Sequence, residues 1–475
     1  MIILILVIGL ILRLINLNQS LWLDEAISTL AARDYSYYGI AFDFLKIDNH
    51  SPGFYLLLKL WGETFGFTDW ILRILPVLLG VGLIFITYRI ASTLSKDSKL
   101  PLIAALLIST SPLLIYYSQE IRMYILITLL AALQVYVFQN LIFKQTNYKW
   151  IAFSLINCLL FFTDYITVFL FPIFFIYPLI KKDYKVLTKV FLSFIPLGIL
   201  FILWFPMFNE QLLKNKEIVS SFPGWQYIVG GATLKNLAVI WMKFILGRIS
   251  FEPKIIYYCL IAAGSIPVLS SLSMASKSLR KHLIIWLWLI VPVVLGFTFS
   301  FVLPVFNYFR FIYVLPAMLI LVALGISQIQ SSKIKNLLIC TILLTNLIGL
   351  LIYYLDPAQS RENWKQAVAR IEETAAPTDL VVFEFYDAVA PYRWYSNNKV
   401  DVIGATDSYF ANREKTYQKL EPKLENKTRI YHFEYLRDLT DPERVVEQKL
   451  TEEGFKKGEI LTNFHNIGHV SIWNK

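Results

Sequence analysis

Cysteine is nearly absent from this 475-residue chain. Cys158, Cys259 and Cys340 each sit inside an apolar run at no metal-ligand spacing, which excludes a disulfide framework and a cysteine-based zinc site. The polar C-terminal part has no Gly-rich phosphate loop and no nucleophile-triad spacing, so it is assigned no chemistry of its own. Internal repeats and low-complexity segments are also missing. The absence of repeated halves counts against a secondary transporter, which often carries them together with broken helices bearing charge near mid-membrane. The first apolar run lacks a basic n-region and a small-residue cleavage site, and therefore reads as a retained anchor.

What is present is apolar. Hydrophobic residues make up 56% of the chain and aromatics 16%, and the mean hydropathy is +0.56, well above what a soluble surface tolerates. This is the composition of a polytopic α-helical membrane protein. The formal charge of +10 resembles a nucleic-acid signal only until it is divided along the chain. Residues 1–355 hold 27 Lys+Arg against 14 Asp+Glu, a balance of +13, whereas residues 356–475 hold 17 against 20, a balance of −3. The excess sits in short connections: Arg89, Lys96 and Lys99; Lys144 and Lys149; Lys181, Lys182, Lys185 and Lys189; Lys277, Arg280 and Lys281; Lys333 and Lys335. These are the marks of cytoplasmic loops. No nucleic-acid partner is expected.

About 20 residues cross a bilayer as helix, which yields about eleven spans. They are Ile2–Leu17, Trp70–Ile90, Leu100–Tyr116, Tyr124–Phe143, Trp150–Phe162, Tyr165–Ile180, Val186–Phe205, Ile255–Leu272, Leu283–Leu303, Phe311–Ile326 and Leu337–Leu355. Trp241–Phe251 is a partial twelfth. With the amino terminus in the cytoplasm, every basic loop falls on that side and the tail falls outside. Arg13 interrupts the first run near its outer end; it either meets a partner or an anionic ligand or snorkels to the interface.

The outer loops carry the chemistry-bearing residues. Leu21-Trp22-Leu23-Asp24-Glu25-Ala26 follows the first run. An aromatic stretch leads from there to His50-Ser51-Pro52-Gly53 and Trp61, with the character of surface helices lying in the headgroup plane. A second outer loop is tight, Tyr116-Tyr117-Ser118-Gln119-Glu120-Ile121-Arg122-Met123-Tyr124. The fourth, from Pro206 to about Pro253, contains Pro223-Gly224-Trp225, Lys243 and Arg248, and is long enough to cover a bound substrate.

In this order, with Asn307-Tyr308-Phe309-Arg310-Phe311 before a late helix, the motifs resemble the polyprenyl-phosphate-sugar glycosyltransferases of the GT-C superfamily, in particular its protein O-mannosyltransferase-like and aminoarabinose-transferase-like members. The resemblance covers residues 5–355. It implies transfer of a sugar, with inversion, from a polyprenyl-phosphate carrier to a hydroxyl-bearing lipid, glycan or protein acceptor at the outer face of the cell membrane. It also implies that Asp24 is the catalytic carboxylate, with Glu25 beside it and Glu120 in the second-loop acidic position. His50, Arg122 and Arg310 match the positions that contact the donor phosphate. Two departures stand out: the paired prolines of the family are Ser51-Pro52 here, and its His-Tyr at the fifth helix is Asp164-Tyr165.

The chemistry can be stated without the family. A carrier phosphate is an activated leaving group, so the protein must position the acceptor, accept its proton and offset charge on the departing phosphate. One carboxylate and a few cations suffice, and Arg suits bidentate phosphate contact. Alternatively, Asp24, Glu120 and Asp164, with Glu25, hold a divalent cation through oxygen ligands. Structural readings stand beside these: Asp24-Glu25 as acid at a helix start, Glu120 and Arg122 as an interfacial ion pair, and Arg310 as a snorkelling side chain. A lipid-linked sugar flippase or a glycan polymerase is the rival function.

Beyond Asp356-Pro357 the chain becomes charged. Arg361–Thr374, Asn412–Leu420 and Pro442–Glu453 fit helices, while Leu380–Phe385, Val400–Ile403, Arg429–Phe433 and His469–Trp473 fit strands. The alternation predicts a small extracytoplasmic α/β domain over 356–475, which supports the core or recognises the acceptor.

Overall fold

The computed structural model describes residues 1–95, 97–221, 230–462 and 464–475; Lys96 of the first basic connection and Pro223-Gly224-Trp225 lie outside the described residues. The helical part runs α1 (Ile2–Leu14), α2 (Leu23–Asp34), α3 (Tyr37–Phe42), α4 (Gly53–Phe65), α5 (Asp69–Leu94), α6 (Lys99–Thr110), α7 (Pro112–Tyr117), α8 (Tyr124–Phe143) and α9 (Asn147–Thr163). It continues with α10 (Pro172–Lys181), α11 (Tyr184–Ser221), α12 (Leu234–Leu246), α13 (Lys254–Ser276), α14 (Leu283–Phe299), α15 (Leu315–Gln328) and α16 (Ser332–Leu355). Five helices are long and apolar enough to cross a bilayer by themselves: α5, α8, α11 over Tyr184–Lys216, α13 and α16. Each of the eleven apolar runs contains an α-helix. The expected outer surface helices are α2, α3 and α4, with Tyr37, Tyr38 and Phe42 exposed.

Two expectations fail for identifiable reasons. The run Leu100–Tyr116 is broken at Ser111, which is extended, because Pro112 has no N–H to return to the preceding turn. Arg13 repairs the break and does not snorkel. Its side chain is fully buried, donating to the carbonyls of Gly9 (2.9 Å) and Ser109 (3.1 Å) and to Ser118 Oγ (3.0 Å). Carbonyls freed in a membrane need a donor from the protein. Second, the span Val186–Phe205 does not end at Phe205. α11 has 38 residues, roughly 57 Å at about 1.5 Å per residue, so it outruns a hydrocarbon core of about 30 Å and replaces the first part of the loop expected after Pro206. The partial twelfth span is α12, set back to Leu234–Leu246.

The remainder forms a five-stranded sheet in the order β2-β1-β3-β5-β4. Its strands are β1 (Leu380–Phe383), β2 (Asp401–Gly404), β3 (Arg429–Phe433), β4 (Lys456–Leu461) and β5 (Val470–Asn474). β1 pairs in parallel with β2 and β3, and β5 is antiparallel to β3 and β4. Helices α17 (Trp364–Thr374) and α18 (Val389–Tyr395) cover one face, packing Trp364, Ile371 and Tyr392 on Phe383 and Phe433. On the other face α19 (Arg413–Leu424) and α21 (Val445–Glu452) press Leu420, Leu424, Val446 and Leu450 onto Val382 and Ile430; the single turn α20 (Arg437–Thr440) precedes α21. Covering on both faces is why all four residues of β1 are buried. Neither α18 nor the charged edge strand β4 was expected from the sequence.

The two parts are joined by polar contacts. Asp69, at the start of α5, accepts from Trp394 Nε1 (2.7 Å) and the Tyr395 hydroxyl (2.8 Å), and that hydroxyl accepts from Leu21 N–H (2.7 Å).

Candidate active site

The Asp-Glu pair opens α2, and its two carboxylates have opposite surroundings. Glu25 is fully buried. It accepts from Arg73 Nη2 (2.6 Å), from the Ile121 N–H (2.9 Å) and from the Trp22 N–H (3.3 Å), with Arg361 Nη1 at 3.8 Å. Burial alone would raise its carboxyl, but the Arg361 and Arg73 guanidiniums hold it below the usual range. Arg73 is itself spent on the carbonyls of Leu17 and Ser20. The group is a buried clamp that fixes the start of α2 against α5 and the second outer loop.

Asp24, one residue earlier, keeps 35% of its side chain exposed and has Arg122 Nη2 at 3.7 Å. Its carboxylate is accessible and has one cation beside it. Arg122 is buried, donates to Ser28 Oγ (3.0 Å), and places Nη2 2.9 Å from His50 Nε2. His50 Nδ1 lies 2.6 Å from Asp48 Oδ1, so both ring nitrogens are engaged within the protein and neither is left for the phosphate contact expected of His50. Asp48, which sequence reasoning missed, also accepts from the Tyr55 hydroxyl (3.2 Å). Against its burial, His50 and Arg122 bring the Asp48 carboxyl down to about 2. Gln211, on the extension of α11 past Phe205, donates to the carbonyls of Leu45, Asp48 and His50, each at 3.0 Å, and so holds this loop.

Glu120 is buried and paired with Arg361 Nη1 at 3.1 Å. Burial raises its carboxyl and Arg361 opposes the rise. Arg361 belongs to the segment expected to begin a helix, but α17 starts at Trp364. The guanidinium reaches into the helical part instead, 4.6 Å from the centre of the Tyr116 ring, and donates to the carbonyls of Tyr116 (3.5 Å) and Gln119 (3.3 Å). Glu362 beside it accepts from the Leu23 N–H at 3.2 Å, adjacent to Asp24. Asp387 of the C-terminal part also faces this region: burial raises its carboxyl, a Tyr409 hydrogen bond opposes that, and Asp48 and Asp24 add to the rise.

Asp164 caps the 3-10 turn Tyr165–Phe169 through the Ile166 N–H at 3.1 Å. Among the described residues, Asp24, Glu120 and Asp164 do not come together as a ligand set, because Glu120 is committed to Arg361 and Asp164 to its own turn. Arg310 is half-buried in the turn before α15, within electrostatic reach of Tyr124, and has no ion pair among the described residues. A cavity of about 470 Å³ opens beside the Glu120–Arg361 pair, lined by Trp22, Tyr116, Arg248, Tyr308, Arg361 and Glu362. Arg248 stacks on Tyr116 at 4.8 Å and donates to its hydroxyl at 2.7 Å. It has no carboxylate partner among the described residues, and the buried Trp22 Nε1–H has no acceptor.

The dolichyl-phosphate-mannose-protein mannosyltransferase family matches residues 49–208. No curated protein matches the chain. Among solved structures, ArnT from Cupriavidus metallidurans in the apo state is 11% identical with a TM-score of 0.62, covering 100% of this chain and 97% of ArnT. The same protein bound to undecaprenyl phosphate is 10% identical with a TM-score of 0.62, covering 100% and 98%. The archaeal oligosaccharyltransferase AglB from Archaeoglobus fulgidus, in complex with an inhibitory peptide and a dolichol-phosphate, is 13% identical with a TM-score of 0.53, covering 99% and 74%. The resemblance drawn from the motifs holds at the level of fold: a GT-C membrane architecture with a C-terminal domain.

Proposed function

We propose that this protein is an integral-membrane glycosyltransferase that moves a sugar from a polyprenyl-phosphate carrier to a hydroxyl acceptor with inversion, Asp24 acting as the base. The observation that carries the reading is the contrast within the Asp-Glu pair. Glu25 has its oxygens occupied, whereas Asp24 presents an accessible carboxylate beside one buried cation. A base must be ionised, reachable and fixed, and Arg122 with Ser28 and His50 fixes it. Arg122 also stands where it can share charge with an incoming phosphate. Arg248 and Arg310, without a carboxylate ion pair among the described residues, are the cations for the departing phosphate; His50 is assigned to positioning Arg122, and Glu25 and Glu120 to the clamp. The relatives in solved structures support the donor class, since they are described with undecaprenyl phosphate and dolichol-phosphate bound. The reaction lies at the outer face, with the amino terminus in the cytoplasm and residues 356–475 outside, closing over the site through Arg361, Glu362 and Asp387.

The test is sugar release from synthetic polyprenyl-phosphate hexoses and pentoses by the protein in lipid nanodiscs, with carrier binding measured in parallel. Asp24→Asn keeps the shape and removes the base, so turnover should vanish while carrier affinity stays within a few-fold. Near-normal turnover would remove Asp24 from the chemistry. Arg248→Met should weaken carrier binding at least tenfold, one charge-assisted contact's worth at about 1.5–3 kcal/mol. Carrier movement across the bilayer without sugar release would favour the flippase.

A further inference from the structure

A second concentration of titratable groups lies within the C-terminal sheet, at the carboxyl ends of the parallel strands β1 and β3, and the transferase reading makes no use of it. His432, near the end of β3, is fully buried. Its Nε2 lies 2.9 Å from Glu384 Oε1, while its Nδ1 has no hydrogen-bond partner. A buried imidazole with one nitrogen oriented by a carboxylate and the other left bare has the disposition of a metal ligand, whose second N–H is almost always given to a carboxylate that sets the tautomer. Glu434, two residues along the strand edge, and Glu447, on α21, each offer an oxygen, and the ligand atoms of His432, Glu434 and Glu447 all lie within 4.8 Å of one another.

Glu384, Glu434, Glu447 and Asp441 are four carboxylates with little or no exposure, faced by Arg437, Lys457, Arg444 (3.9 Å from Glu447) and the imidazole. Asp441 is satisfied by the Val445 and Val446 N–H groups at the start of α21. Between Glu434 Oε1 (2.7 Å) and Glu447 Oε1 (3.2 Å) sits the Lys457 ammonium. It stands where a cation belongs, on the edge strand β4 with 30% of its side chain exposed, so it is free to swing into solvent.

We propose that His432, Glu434 and Glu447 form a divalent transition-metal site of the Zn2+ class, with His432 ligating through Nδ1, Glu384 orienting the ring, and Lys457 occupying the place of the ion in its absence. One imidazole and two carboxylates suit Zn2+, which takes nitrogen and oxygen at about 2.0–2.2 Å, and three protein ligands leave a fourth position for water. Arg437, bonded to Glu434 and to Glu447 (2.9 Å), stays as the second neutralising charge. The site lies one residue from Tyr435, whose hydroxyl donates to Glu362 at 2.7 Å beside the Asp24 helix, so the ion would brace the part of the domain that touches the candidate active site.

The experiment is calorimetric titration of chelator-treated full-length protein in nanodiscs with Zn2+, repeated with Co2+ to read the ligand field by visible absorption. Wild type should take up one equivalent saturably, and Glu447→Gln, which keeps the side-chain shape, should weaken it at least tenfold. Glu384→Gln should cost about 10–100-fold, the range for a partner behind a ligating histidine. Lys457→Met should bind more tightly than wild type, because the competing ammonium is gone; a purely structural ion-pair network predicts no uptake in either protein. Asp24→Asn should bind as wild type does. No saturable uptake by wild type and Lys457→Met, uptake unchanged by Glu447→Gln, or uptake lost in Asp24→Asn would each overturn the proposal.

Discussion

Adjacent acids in one helical turn can do unrelated work, and position in sequence does not rank them. Asp24 and Glu25 look alike in the chain; what separates them is Arg73, 48 residues away, and Arg361 from beyond the last membrane helix. The Asp-Glu signature was legible, but its division of labour was not, because the cations that settle it arrive through tertiary contacts. Glu25→Gln is expected to leave two buried guanidiniums short of charge and to cost about 3–5 kcal/mol, the range for breaking a buried pair, seen as a lower thermal midpoint even where the substrate is absent. His50, read as a phosphate contact, has both ring nitrogens engaged for the same reason: its partners are Arg122 and Asp48. The Asp48 carboxyl also makes a pH prediction. Its folded value near 2 lies below its ordinary value of 3.8, so its contribution, about 2 kcal/mol at about 1.36 kcal/mol per unit, is present above pH 4 and is lost as the pH falls toward 2. Wild type should therefore lose thermal stability faster than Asp48→Asn across that window, and parallel curves would contradict the assignment.

Helices were legible as apolar runs, and their ends were not. Hydropathy cannot see that Pro112 splits one run into α6 and α7, or that α11 continues past Pro206 to carry Gln211 over the Asp48–His50 loop. In both cases a polar side chain from elsewhere, Arg13 or Gln211, satisfies backbone carbonyls that the local sequence leaves open. The strand β1, Leu-Val-Val-Phe, was legible because both its faces are covered and its residues are uniformly apolar. β4, Lys-Lys-Gly-Glu-Ile-Leu on an exposed edge, has no such pattern. Helix packing depends on small residues in a way the hydrophobic pattern also hides. α13 and α15 approach so closely that a Cβ on Gly325 would fall 1.8 Å from the Ser271 carbonyl oxygen. Backbone cannot yield as a side-chain tip can, so Gly325→Ala should cost about 3 kcal/mol, the upper part of the overpacking range. Gly198, with nothing within 4 Å, is the matched control: Gly198→Ala should leave the thermal midpoint at or slightly above wild type.

For the whole molecule, two features bear on the proposed orientation. The basic connections lie at one end of the helical part, and the candidate active site lies at the other, roofed by the domain that carries Arg361, Glu362 and Asp387. In the mechanism we propose, a carrier phosphate and an acceptor meet at Asp24, so the side of the membrane that the C-terminal domain occupies would be the side of transfer. The charge asymmetry supports our proposal that this side is the outer one. The chain is suited to a direct test, because its three cysteines are free and dispensable to any disulfide. In a cysteine-free background, a thiol replacing the exposed Glu425, at the end of α19, should react with a membrane-impermeant maleimide on intact cells, and one replacing the exposed Lys333, at the start of α16, should react only after permeabilisation. Reversal of the two would place Asp24 and its cations on the cytoplasmic side. The donor would then have to present its sugar there, and the positive connections would need a different physical account from the one that oriented the chain.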